Sequence, residues 1–188
     1  MSALKCSCKG ECMRFDAAEI RPAPWKNGGG TTRELAVGQD VSGQIWRLSL
    51  AEIAREGPFS SFAGQWRIHT IISGQGLRLM GTEETLEALP LAPLEFDGGI
   101  ALDAQFIEGP CRAVNLIYDP RHLAATAEVR NGSLRAQRGD LVFVIRGALT
   151  LGGKNFVAGQ GAAVEAPARA EVEGTVLHFE IRVPPKET

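Results

Sequence analysis

Short alternating runs of apolar and polar residues, broken every few positions by glycine or proline, constrain this chain more tightly than anything else in it. Runs at 33–37, 44–50, 65–72, 76–80, 105–107, 113–118, 135–137, 141–145, 148–151, 161–165 and 175–182 carry the period of two or the β-branched content of strands. The 22 glycines and 10 prolines supply turns between them. Only 50–55 and the Ala-containing 120–127 have a fair helical composition, so the pattern predicts an all-β sandwich or barrel with little helix. A weak repeat points to two halves: 70–79 and 143–151 each read as an apolar strand, a polar residue, a Gly turn and a second strand, the form of a β-hairpin.

At 188 residues a compact fold buries roughly 70% of its unfolded surface, so a large core is available without staples. The net charge of -2, from 20 Lys+Arg against 22 Asp+Glu, offers no basic excess for nucleic acid or anionic lipid. No run reaches the ~18 apolar residues of a membrane span, and the N-terminus lacks the apolar core of a signal peptide, so the expected location is cytoplasmic. Cys6, Cys8 and Cys12 crowd a segment without hydrophobic periodicity. A soft metal would need a fourth ligand from elsewhere; the alternative is a disordered extension, 1–12, ahead of Met13 as a second start. Cys111, in an apolar stretch, reads as a buried thiol.

The run Pro24-Trp25-Lys26-Asn27-Gly28-Gly29-Gly30 joins an aromatic, a cation and an amide to three consecutive glycines. Its spacing is neither GxGxxG nor GxxxxGK[ST], and no helical pattern follows, which excludes a phosphate-cradling loop. The glycines instead predict a turn or bulge at a sheet edge, where a side chain would obstruct. Further on come Trp46 to Ile53, then Gly57-Pro58-Phe59-Ser60-Ser61-Phe62-Ala63-Gly64-Gln65-Trp66-Arg67, then Phe96-Asp97-Gly98-Gly99, and Gly109-Pro110 with Asn115 close behind.

In this order and spacing the chain resembles the HutD/Ves family over most of the span from Pro24 to Asn115. The resemblance implies a cytoplasmic all-β bicupin: 13–119 as a first cupin-like half carrying the ligand site, 120–188 as a second half serving as scaffold. It also implies a binding or regulatory protein, linked in many bacteria to histidine utilisation, rather than an enzyme. Two positions depart from the family pattern: Ala63 stands where Pro is usual, and Ala113 where an Asp is usual.

Cupin enzymes commonly hold a divalent metal with an HxH pair, a Glu and a later His. Here His69, His122 and His178 have no such spacing, and neither metal nor cofactor is expected. What replaces the metal is cationic and hydroxylic. The period of two puts Arg47 with Ser49 on one face, and Arg67 with His69 on one face of a second strand. If those faces line a barrel the four converge; in the opposite register the tryptophans fill the core and the arginines are solvated. Two guanidiniums facing a small cavity call for a carboxylate, which Arg matches in a bidentate fork. The expected partner is therefore a small organic anion, with Trp25 as a stacking wall, Lys26 as a point charge, Asn27 as a donor and acceptor, and Ser60 as a further hydroxyl. The resemblance narrows that anion to urocanate or a formyl or formimino glutamate derivative. A Ser49/His69 set completed by Glu34 or Asp97 would make a metal-independent hydrolase or isomerase, although no GxSxG elbow is present. Open sheet edges make a homodimer plausible.

Overall fold

The computed structural model describes residues 12–41 and 43–183. Seventeen strands follow in order: β1 (Cys12–Asp16), β2 (Ala23–Pro24), β3 (Gly30–Asp40), β4 (Gly43–Ile53), β5 (Gly57–Phe59), β6 (Trp66–Ser73), β7 (Leu77–Met80), β8 (Thr85–Ala88), β9 (Leu94–Asp97), β10 (Leu102–Phe106), β11 (Cys111–Tyr118), β12 (Ala124–Arg130), β13 (Leu134–Ala136), β14 (Leu141–Leu151), β15 (Lys154–Val157), β16 (Gln160–Val164) and β17 (Ala168–Arg182). They form three sheets, ordered β2-β3-β4-β11-β6-β9, β5-β10-β7-β8 and β1-β16-β14-β17-β12, the last also pairing β13 with β17 and β15 with β14. The fold is an all-β sandwich.

The six-stranded sheet serves two cores. On β4, Leu48 and Leu50 face a core shared with the long sheet, where Leu116 of β11 meets Phe143, Leu177 and Phe179. The alternate residues Ala51 and Ile53 face a second core closed by Leu77, Leu79 and Ala104 of the four-stranded sheet. Leu48 and Leu50 are fully buried, each contributing about 1.5–3 kcal/mol of hydrophobic stabilisation. The long sheet curls around a third core of Val142, Val144, Leu149, Phe156 and Val176. Alternation along β14 makes this possible, since Leu141 and Phe143 point to the shared core while Val142 and Val144 point to their own.

The helical expectations fail at both places. Residues 50–53 continue β4, where β3 and β11 flank the strand and satisfy its backbone, and 124–130 form β12 against β17. Sheet pairing overrides the local propensity of alanine. The repeat also takes a different form. After β6 the chain crosses at Gly74-Gln75-Gly76 into another sheet, so β6 and β7 are not paired. Its counterpart is no hairpin either: Gly147 lies within the continuous β14. There it faces Gly174 of β17, and a Cβ at 147 would clash with the Glu173 carbonyl, so the β14–β17 ladder carries glycine on both strands just past its register shift at Val144/Arg146.

The residues 1–11, with Cys6 and Cys8, lie outside the described chain. Cys12, expected in a loose extension, is buried in β1 opposite Val164, and Phe15 of that strand enters the shared core. The start of the first half is thereby stitched into the sheet of the second.

Candidate functional site

The interior face of the six-stranded sheet changes character along its length. At one end, Ala51, Ala113 and Ile71 form an apolar cross-strand row; one step on, Ser49, Asn115 and His69 stand side by side; one step further come Arg47, Ile117 and Arg67. The register with Arg47, Ser49, Arg67 and His69 inward is thus the one adopted. Leu48 and Leu50 fill the shared core with Trp46 packed against it, while Trp66 is 40% exposed.

Asn115 organises the polar row. Its Oδ1 accepts Arg67 Nε at 2.9 Å, Arg67 Nη2 at 2.7 Å and the His69 ring through Nδ1 at 2.6 Å. Arg67 Nη1 also reaches the Ser60 carbonyl at 3.5 Å. The guanidinium is sandwiched by aromatics, with its carbon 4.0 Å from the Phe59 ring centre and 5.9 Å from those of Phe62 and Phe96. Phe62 lies over Arg47 as well, at 5.3 Å. Such rings are a favourable setting for a cation, but they neutralise no charge.

Arg67 is only 6% exposed, yet no carboxylate pairs with it or with Arg47 among the described residues. Burial first, and the neighbouring Arg47 charge second, push the Arg67 pKa down to about 9. His69 is fully buried, and burial, reinforced by the Arg67 charge, pushes its pKa down to about 3 against the opposing bond to Asn115. The imidazole is neutral. Two buried polar atoms here lack a partner among the described residues, Arg47 Nε and His69 Nε2.

The other expected residues are placed differently. Trp25 packs against the apolar end of this interior and donates its indole N–H to Thr32 at 2.7 Å. Lys26 and Asn27 are exposed in the turn, and Asn27 spends its carboxamide on Gly29 N at 2.9 Å and the Pro58 carbonyl at 3.5 Å. Gly30 is needed because a Cβ there would lie 2.2 Å from the Glu52 carbonyl and 3.1 Å from the Trp25 ring. The turn thereby braces the segment that delivers Phe59 onto Arg67. Ser60 contributes its carbonyl, and its side chain is exposed.

A hydrolytic set does not assemble. Ser49 and His69 stand on β4 and β6 with β11 between them, a separation of about 9–10 Å at two strand spacings. The partner of His69 Nδ1 is an amide and not a carboxylate, while Glu34 is exposed and Asp97 caps its own turn at Gly99 N. Among the described residues no three His, Cys, Asp or Glu side chains gather as a metal site, and no helix is long and apolar enough to cross a membrane.

Sequence reasoning left Asn115 and the three phenylalanines out of the site. Alternation along β11 would have found Asn115, which shares its face with Ala113 and Ile117 opposite Ser49 and His69. Phe59 and Phe62 lie in the Gly57–Arg67 run already singled out.

The HutD family profile matches residues 17–178. The chain belongs to the HutD family. Similar proteins include one described as an uncharacterized 21.2 kDa protein in the hutC 3' region of Pseudomonas putida, 38% identical over 115 residues; the chain spans 60% of that relative's length, and 60% of the chain is aligned. The protein Ves of Escherichia fergusonii is 32% identical over 79% of this chain and 80% of its own. A structure of HutD from Pseudomonas fluorescens SBW25 in a formate condition superposes with a TM-score of 0.81 and 32% identity, covering 93% of this chain and 100% of that one. Bacillus subtilis oxalate decarboxylase shares the cupin fold alone, with a TM-score of 0.63 at 10% identity over 94% of this chain and 78% of that one.

Proposed function

We propose that this HutD-family protein binds a small organic carboxylate between Arg47 and Arg67 in its first cupin half and acts as a regulatory, not catalytic, cytoplasmic component of histidine utilisation. One observation carries the reading: a guanidinium 6% exposed, set beside a second one, with no acidic partner among the described residues. Burying such a charge uncompensated is costly, and an arriving carboxylate supplies the missing anion in the geometry a guanidinium matches best. The family departure at 113 acts in the same direction, because Ala113 places a methyl group and no carboxylate in the row beside Asn115. Family membership and the formate condition of the Pseudomonas fluorescens HutD structure support the choice of ligand class. Urocanate and formyl or formimino glutamate are the candidates.

A groove of about 860 Å³ on the neighbouring sheet is lined by Phe59 and Ser61 but by neither arginine. Phe62, a half-buried ring, lies over both guanidiniums.

Titration calorimetry with urocanate, formylglutamate, formiminoglutamate and formate tests the proposal. Arg67→Ala is expected to cost about 2–5 kcal/mol of binding, and Arg47→Lys to weaken it as well, because an ammonium does not reproduce the fork. Circular dichroism checks that both variants fold. Wild type that binds none of the four, or folded variants with unchanged affinity, would overturn it.

A further inference from the structure

We infer that the ligand of the Arg47–Arg67 site is a carboxylate that also carries an N–H or O–H donor, and that His69 Nε2 is the acceptor which selects it. This rests on the carboxylate reading above and adds a second requirement to it.

The Asn115 atom facing Arg67 receives two guanidinium N–H groups, which only donate, so that atom is the carbonyl oxygen. His69 Nδ1 lies 2.6 Å from the same oxygen. An amide carbonyl oxygen carries no proton of its own and only accepts, so the proton in that contact belongs to Nδ1. A neutral imidazole protonated at Nδ1 has a bare lone pair at Nε2, on the far side of the ring from Asn115. The adjacent Arg67 charge and the fully buried setting oppose a second proton there.

That lone pair is buried and has no partner among the described residues. Phe59, its aromatic neighbour, meets the imidazole edge-on with ring centres 5.4 Å apart and offers no N–H or O–H. The other orphan of the site, Arg47 Nε, is a donor. The site therefore presents unmet demand of both signs: guanidinium N–H groups for an anion, and one fixed acceptor for a donor. A simple carboxylate answers the first and leaves the second desolvated. A molecule with an amide N–H, an imidazole N–H or a hydroxyl near its carboxylate answers both. Sites built around a buried hydrogen-bonding group reject analogues lacking the complementary group, because the protein group is then left unpaired.

The test compares matched carboxylates with and without the donor: N-acetylglycine against N-acetylsarcosine, and glycolate against methoxyacetate, with acetate as the anion that has neither. Calorimetry on the full chain should show wild type preferring the donor-bearing member of at least one pair by about tenfold or more. His69→Phe should lose that preference while still binding acetate, and His69→Gln, which returns an acceptor oxygen, should recover part of it. Nitrogen-15 spectra of histidine-labelled protein give a readout independent of folding in the variants. The His69 Nε2 resonance, assigned by its loss in His69→Gln, should begin as unprotonated and shift with N-acetylglycine but not with N-acetylsarcosine. Wild type that binds acetate through Arg67 yet shows no preference in either pair overturns this inference and leaves the carboxylate reading standing. Wild type that binds no carboxylate overturns both.

Discussion

His69 and Asn115 meet through Nδ1 and Oδ1 at 2.6 Å, and this contact couples the charge of Arg67 to the tautomer of the histidine. The same oxygen that orders the guanidinium obliges the imidazole to present its lone pair on the other side. Three strands, β6, β11 and β4, hold the row in register, so its geometry is a property of the sheet and not of a loop.

Replacing Asn115 by Asp keeps the acceptor oxygen and adds the negative charge that the two arginines lack. Asn115→Asp should therefore raise the thermal midpoint of the protein alone and reduce the further rise produced by saturating carboxylate, since the internal charge competes with the external one. Thermal scans with and without formylglutamate check both. An Asp variant stabilised by ligand as much as wild type would count against an anion vacancy beside Arg67.

How much of this was legible in the sequence follows from which interactions are local. The period of two placed Arg47 with Ser49 and Arg67 with His69, because alternation is fixed by the chain itself. The pairing of β11 between those two strands is a long-range choice, and with it came Asn115, the residue that joins them. The same blindness explains the failed hairpins. Gly74 and Gly147 advertise a change of direction, but neighbouring strands decide whether the chain crosses to another sheet or continues within one. The helical reading of 120–127 failed for a related reason, since alanine's preference yields to the vacant edge of β17.

Thr70 is fully buried on β6 between Ile68 and Ile72, and its hydroxyl has no partner among the described residues. Thr70→Val removes an unsatisfied polar atom at nearly constant shape and should stabilise the protein by about 1 kcal/mol in urea unfolding. A loss of stability would show that the hydroxyl is bonded in solution.

Cys111 is buried opposite Ile53 in the apolar end of the first half, and burial pushes its thiol pKa up to about 11. At pH 8 the thiolate is scarce and shielded, so iodoacetamide should leave the Cys111 peptide unmodified in folded protein and alkylate it fully in urea, as read by mass spectrometry. Rapid alkylation without denaturant would mean that the four-stranded sheet opens readily.

Two buried carboxylates predict how stability responds to acid. Burial alone would raise the pKa of Asp140, but hydrogen bonds from His178 Nε2 at 2.9 Å, Gln137 N at 2.8 Å and Arg182 Nη1 at 2.8 Å outweigh it and hold the group below the usual carboxylate value. Asp119 is held down to about 2, chiefly by the Arg121 side chain, whose Nη2 lies 2.6 Å away. Both folded pKa values lie below the unfolded value of about 3.9, so the unfolded chain binds more protons in that interval. The stabilisation is complete about one unit above that unfolded value and is lost as pH falls through it, in the case of Asp119 down to about 2. Urea midpoints at pH 7, 5, 4, 3 and 2.5 should stay flat to about pH 5 and then drop steeply. Asp119→Asn and Asp140→Asn should each be less stable at pH 7 and lose less on acidification. Equal acid sensitivity in wild type and both variants would place the controlling carboxylates elsewhere.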